Sequence, residues 1–159
     1  MDSRHLGTWY LVPPGWQRPP EDASDYGFVE SFEYGRSHLR AAMELWDLAG
    51  DPGRGKQIEE VLNRAWRRPE PILNAADIDE LIALLDGLED RLVGTVVDER
   101  FKTRADQLPE LRRRTTMFDL EERPGFDVEN SIGEGIGRAQ AALENLRHAR
   151  GAGLEILLD

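Results

Sequence analysis

The 159 residues suit one domain, able to bury roughly two-thirds of the surface its unfolded chain exposes. With 40% apolar and 32% charged residues the chain lies in the globular range, and the lack of cysteine excludes disulfides, thiol catalysis and thiolate metal sites. A formal charge of −11 disfavours nucleic acid and anionic lipid as partners and steers basic ones inward.

The first residues carry no apolar core of a signal peptide, and no apolar run approaches the ~20 residues that span a bilayer, so a cytoplasmic protein without membrane association is expected. Lysine occurs only as Lys56 and Lys102, arginine supplying the other cations, a skew expected of a GC-rich bacterial genome.

In chain order, residues 7–13 predict a short strand rich in aromatic and β-branched side chains, stopped by Pro13, Pro14 and Gly15. A Pro-rich loop follows to residue 24. From 25 to 49, Phe28, Phe32, Leu39, Ala42, Trp46 and Ala49 recur at alternating spacings of four and three, with Gly35 filling the gap, which predicts a helix ended by Gly50 and Pro52. Residues 56–68 predict a second helix on Ile58, Val61, Leu62, Ala65 and Trp66.

The third helix has the tightest stripe: Asn74 as N-cap, then Ile78, Leu81, Ile82, Leu85, Leu88 and Leu92, running on to about residue 100 past Gly94. Residues 101–126 suggest a short helix opened by Pro109 and a loop returning to the core through Met117, Phe118, Leu120 and Phe126. The last helix is marked by the capping box Ser131-x-x-Glu134 and ends at Gly151, and residues 154–158 read as a strand. The fold class expected is mainly α: an irregular bundle of four to five helices, with a two-stranded β ribbon formed by the N- and C-terminal strands, all in a single domain over residues 1–159.

Several strings mimic chemistry. Gly50 to Gln57 meets seven positions of the phosphate-binding loop, but Gln57 lacks the metal-binding hydroxyl and the preceding residues have helical rather than strand period. Gly133, Gly135 and Gly137 miss the dinucleotide spacing, and Glu134 would repel a phosphate there. The histidines His5, His38 and His148 have no partner at metal-ligand spacing, and His148 suits the dipole at a helix end. No serine stands in a nucleophile elbow. No catalytic residue, cofactor site or metal site is therefore assigned.

What remains is electrostatic. Asp79, Asp86 and Asp90, opposite the apolar stripe of the third helix and flanked by Asp77, Glu80 and Glu89, would form a negative ridge. The arginines Arg64, Arg67 and Arg68, and those at 112–114, are expected to pair with the molecule's own carboxylates rather than with nucleic acid. Seven of the twelve aromatics fall in the first 34 residues, and Trp16, among prolines and glycine, is the one expected partly exposed and available as an interface anchor.

In size, acidity and lack of a catalytic motif the chain is similar to the immunity proteins that neutralise bacterial toxins, a likeness of character carried by no single residue. It implies a non-enzymatic binding protein that covers a basic surface of a toxin or enzyme, with Asp79, Asp86, Asp90 and Trp16 as contacts. The rival readings are a small enzyme working with scattered carboxylates and arginines, and a structural protein that self-associates, as a homodimer, through an exposed apolar face.

Overall fold

The computed structural model describes residues 7–88, 91 and 128–158, and in 128–134 the backbone only. The elements in order are β1 (Trp9–Val12), β2 (Glu30–Phe32), α1 (Gly35–Leu48), α2 (Pro52–Trp66), β3 (Ile72–Leu73), α3 (Ala75–Leu85), α4 (Val128–Gly151) and β4 (Glu155–Leu158). Four strands form one antiparallel sheet in the order β2-β1-β4-β3.

This corrects the expected mainly α bundle with a two-stranded ribbon: the fold is mixed, helices packed on a four-stranded sheet. The terminal strands do pair, Trp9 opposite Leu158 and Val12 opposite Glu155, but they are the inner pair of a larger sheet. The added strands β2 and β3 span three and two residues, too short for an alternation to register against the surrounding pattern. In the first predicted helix, Phe28 and Phe32 fell in helical phase by coincidence. Phe32 ends β2 instead, Tyr34 takes a left-handed conformation at φ 66°, and α1 begins only at Gly35.

Residues opposite one another in an antiparallel sheet share a face. Register therefore puts Trp9, Leu11, Leu73, Ile156 and Leu158 together on one side, and these are the strand residues of the main core. They pack against Leu39, Leu45 and Trp46 of α1, Ile58 and Val61 of α2, Ile78 and Leu81 of α3, and Ala142 and Leu146 of α4. Trp46 also donates its indole N–H to the Leu84 carbonyl at 2.9 Å, which fixes α1 to α3. Tyr10 is on the opposite face and stacks on Phe28 at 4.3 Å between ring centroids, so the segment before β2 packs on that side of the sheet.

Helix ends follow local chemistry. The phosphate-loop mimic is the turn between α1 and α2 and the start of α2: Gly50 is left-handed at φ 84°, Asp51 is the N-cap and Pro52 opens α2, where its missing N–H costs nothing. Asn74 caps α3 in a reciprocal box with Asp77. That helix stops at Leu85 rather than running on, because Asp86 is extended and Gly87 is left-handed at φ 80°. The backbone of α4 is already helical at Val128, ahead of the expected start at Ser131, and Gly153, at φ 71°, makes the turn into β4. The continuation of α3 toward residue 100, Asp90, the short helix at Pro109 and the arginines at 112–114 lie outside the described residues.

Candidate functional site

The expected acidic ridge does not form as one continuous helix face. Asp79 is exposed on α3 and meets Arg150 of α4 at 2.8 Å. Its neighbour Glu80 meets Arg64 of α2 at 2.8 Å. Asp86 is exposed, but it sits where α3 has ended, so its seven-residue spacing from Asp79 no longer sets a shared direction. Asp90 lies outside the described residues. Trp16 is half-buried: its ring lies near Phe28, its N–H donates to the Tyr26 carbonyl at 2.7 Å, and the Arg18 guanidinium stands over it at 5.7 Å.

The strongest charge cluster is internal. Asp77, 2% exposed, accepts hydrogen bonds from Arg64 at 2.9 Å, from Arg68 at 2.5 Å and from the Asn74 backbone N–H at 3.0 Å. Arg68 also donates to the Ile72 carbonyl, so one guanidinium joins α2, β3 and α3. Burial pushes the Asp77 carboxyl up, but the hydrogen bonds from Arg68, Arg64 and Asn74 outweigh it and hold it below the usual carboxylate range. Glu155 on β4 is displaced the other way, raised by burial and by the charge of Asp77. Two carboxylates pushed apart in pKa resemble an acid and base pair. Neither lines either of the two cavities described below, and every polar group on Asp77 is directed at its own caps and ties, which is the pattern of a structural joint. The pairing of Arg64 and Arg68 with the molecule's own carboxylates follows the sequence expectation; Arg67 likewise stands 3.6 Å from Glu60.

A second acidic feature went unnoticed in the sequence. Residues 19–35 carry Glu21, Asp22, Asp25, Glu30 and Glu33 and no lysine or arginine, and all five are exposed. The loop that holds them is tied down. Tyr26 and Trp16 pack on Phe28, the Tyr26 hydroxyl donates to the Glu21 carbonyl at 3.1 Å, and the Asp25 side chain accepts from the Gly27 N–H at 2.8 Å. Glu30 reaches His148 of α4. Beside them Val29 is 57% exposed, and β2 is the outermost strand of the sheet. The Leu11 carbonyl of β1 accepts from the Val29 N–H, so Leu11 and Trp9 face β2, the backbone groups of their partners Glu30 and Phe32 face β1, and those of Ser31 face away from the sheet. The signal in the sequence was the one-sided charge of this stretch.

Two cavities are lined by described residues. One of about 230 Å³ lies between the end of α3 and α4, walled mainly by Leu85, Leu88, Ile136, Ala139 and Leu143. Another, of about 200 Å³, lies between α1 and α2 and has Trp9 and Leu62 with Trp66, Arg36, Arg40 and Asn63. The indole N–H of Trp9, one of its lining residues, is buried with no acceptor among the described residues. Among the described residues no group of three or more His, Asp or Glu is placed to hold a metal, and no helix is long and apolar enough to cross a membrane.

No family model, curated protein or solved structure matches the chain.

Proposed function

We propose that the chain is a non-enzymatic binding protein of the inhibitor or immunity type, and that the ordered acidic loop with the β2 edge receives a basic protein surface. The observation that carries this reading is the combination of five exposed carboxylates, exposed Val29 and an outward-facing strand edge on a loop fixed by its own aromatics. A pre-ordered loop loses little conformational freedom on binding, and one-sided charge accelerates encounter with a basic surface. The strand edge adds backbone donors and acceptors for an extended partner segment. Asp79 serves less well, because Arg150 already offsets it, whereas Asp86 is an exposed carboxylate that a large partner reaches from the same logic.

The experiment compares three baits in extract of the source organism: the native chain, Glu21, Asp22 and Asp25 changed together to Lys, and Asp79 and Asp86 changed together to Lys. A basic protein held by the native bait, lost at least tenfold by the loop variant and released by salt, supports the reading. Equal recovery by the native and loop baits, both with native circular dichroism, overturns it. Loss with the helix variant alone moves the contact to α3.

A further inference from the structure

Apart from that reading, we propose that the cavity between the end of α3 and α4 is a binding site for a free α-amino acid with an apolar side chain. Ile136, Ala139, Leu143 and Arg147 follow one another at spacings of three and four, so α4 turns a single face to the cavity, apolar along its length and cationic at its C-terminal end. Leu85 and Leu88 close the other side, and Asp86 comes between them in the chain, at the point where α3 has ended. Gly87, left-handed at φ 80°, adds no side chain, and a Cβ there would meet nothing within 4 Å, so the cavity is open beside Asp86. The volume of about 230 Å³ equals about eight water molecules, below the range of drug-sized sites and sufficient for one leucine or phenylalanine.

Charge selects the ligand class. The cavity is lined by one carboxylate and one guanidinium, those of Asp86 and Arg147, both exposed. Neither side chain has a hydrogen bond or an ion-pair partner among the described residues, and the two do not pair with each other. Arg54, whose guanidinium donates to the Asp86 carbonyl at 3.4 Å, is itself drawn to Asp51 and to the Trp46 ring. Two opposite charges held apart over an apolar floor match a zwitterion. The ammonium goes to Asp86, supported by the partial negative charge at the end of α3, and the carboxylate goes to Arg147, whose planar fork takes it bidentately. The side chain fills the space walled by Leu85, Leu88 and Leu143. A zwitterion carries no net charge, so the −11 of the chain does not repel it, whereas a simple anion is opposed at a distance and a simple cation meets Arg147.

L-Phenylalanine is titrated into the intact chain carrying ¹³C-labelled Leu and Ile methyl groups, at about pH 6, where the α-amino and α-carboxyl groups of the ligand are both charged. The expected result is saturable movement of the Leu85, Ile136 and Leu143 methyl signals with an apparent Kd of about 1 mM or tighter. The signals of Leu11 and Leu73, core residues that do not line the cavity, should stay in place. N-acetyl-L-phenylalanine, which keeps the carboxylate, and L-phenylalaninamide, which keeps the ammonium, should each bind at least tenfold more weakly. Glycine, which keeps both charges and lacks the side chain, should give no saturable movement. Asp86→Asn and Arg147→Gln alter exposed side chains, and each should weaken phenylalanine at least fivefold while the Leu11 and Leu73 signals report an intact fold. Absence of saturation by about 20 mM phenylalanine, equal binding of glycine or of either derivative, or a folded variant of either kind that binds as tightly overturns the proposal.

Discussion

The indole of Trp9 lies so close to the backbone of Gly35 that a Cβ placed there would sit 2.2 Å from the ring. β1 thereby docks directly on the first turn of α1, and the approach is open only to glycine. Gly35→Ala would gain at most about 1 kcal/mol of helix propensity and lose more by forcing Trp9 off the core. Steric overlap wins. The expected outcome is a net loss of about 2 kcal/mol or more in chemical denaturation, with changed near-ultraviolet circular dichroism from the displaced indole. A variant as stable as the native chain would mean that the β1–α1 contact is looser than the geometry shows.

Asp77 predicts an acid-labile joint. Its folded-state pKa lies below the ordinary carboxylate value, so its contribution is complete at neutral pH and is lost as pH falls below about 4 through the folded value. Asp77→Ala leaves Arg64, Arg68 and the Asn74 N–H without their buried acceptor, while the Asn74 side chain still caps α3, and should cost about 3 kcal/mol at pH 7. Both arginines are partly exposed, which keeps the loss at the lower end of the range for buried pairs. Melting the two proteins between pH 7 and pH 3 should show the difference shrinking as the native chain loses its advantage. A constant gap would remove the charge from the explanation.

Glu155 has the opposite sign. Burial and the nearby Asp77 raise its folded-state pKa, so its contribution is complete below the unfolded value and is lost as pH rises through the folded one. At neutral pH its charge is therefore a liability. Glu155→Gln keeps an acceptor for the Gly15 N–H and removes the repulsion, so it should raise Tm at pH 7 and have little effect near pH 3. Lower stability at neutral pH would show that Glu155 is held by a favourable contact instead.

The Asp79–Arg150 pair joins α3 to α4 at the surface, both side chains about half exposed. Exposed pairs contribute at most about 1 kcal/mol, so Asp79→Asn should change stability by less than that, and less still in high salt. Thermal melts at low and high salt check it. A loss several times larger would make this pair a principal tie between the two helices.

The long amphipathic stretches were legible because a 3.6-residue period leaves a strong trace: the stripe from Ile78 to Leu85, the Asn74 cap and the terminal strands all appear in the structure. β2 was hidden because Phe28 and Phe32 mimic helical phase, and nothing short of tertiary pairing distinguishes three strand residues from one helical turn. β3 was hidden by its length, its two residues completed by β4. The end of α3 was legible in principle, since Gly87 stands one residue past Asp86, but the apolar phase continues across it to Leu88 and favoured an unbroken helix. Of the candidate contacts, exposure of Asp79 and Asp86 could be read from phase, but the partnership with Arg150 joins residues 71 apart and left no local trace. The cavity lined by Trp9, Arg36 and Trp66 is assembled from three elements and was equally invisible.

Trp16 connects that lesson to binding. Its N–H bond to Tyr26 and its contact with Phe28 close the loop that displays Glu21, Asp22 and Asp25. Trp16→Phe keeps a ring against Phe28 and removes the bond, which should cost about 1 kcal/mol in global stability, because one neutral hydrogen bond is lost from a half-buried site. The larger effect should be local: amide exchange at Gly27 should accelerate while exchange in α1 and β4 is unchanged, since the loop would open without the core. A partner that docks on the loop would then meet an ensemble rather than one shape, and its affinity would fall by the fraction of molecules with the loop closed. Weakened capture by Trp16→Phe, with all five carboxylates retained, would separate the ordering of this surface from its charge. Unchanged exchange at Gly27 would mean that Tyr10 and Tyr26 hold the loop on Phe28 without help from Trp16.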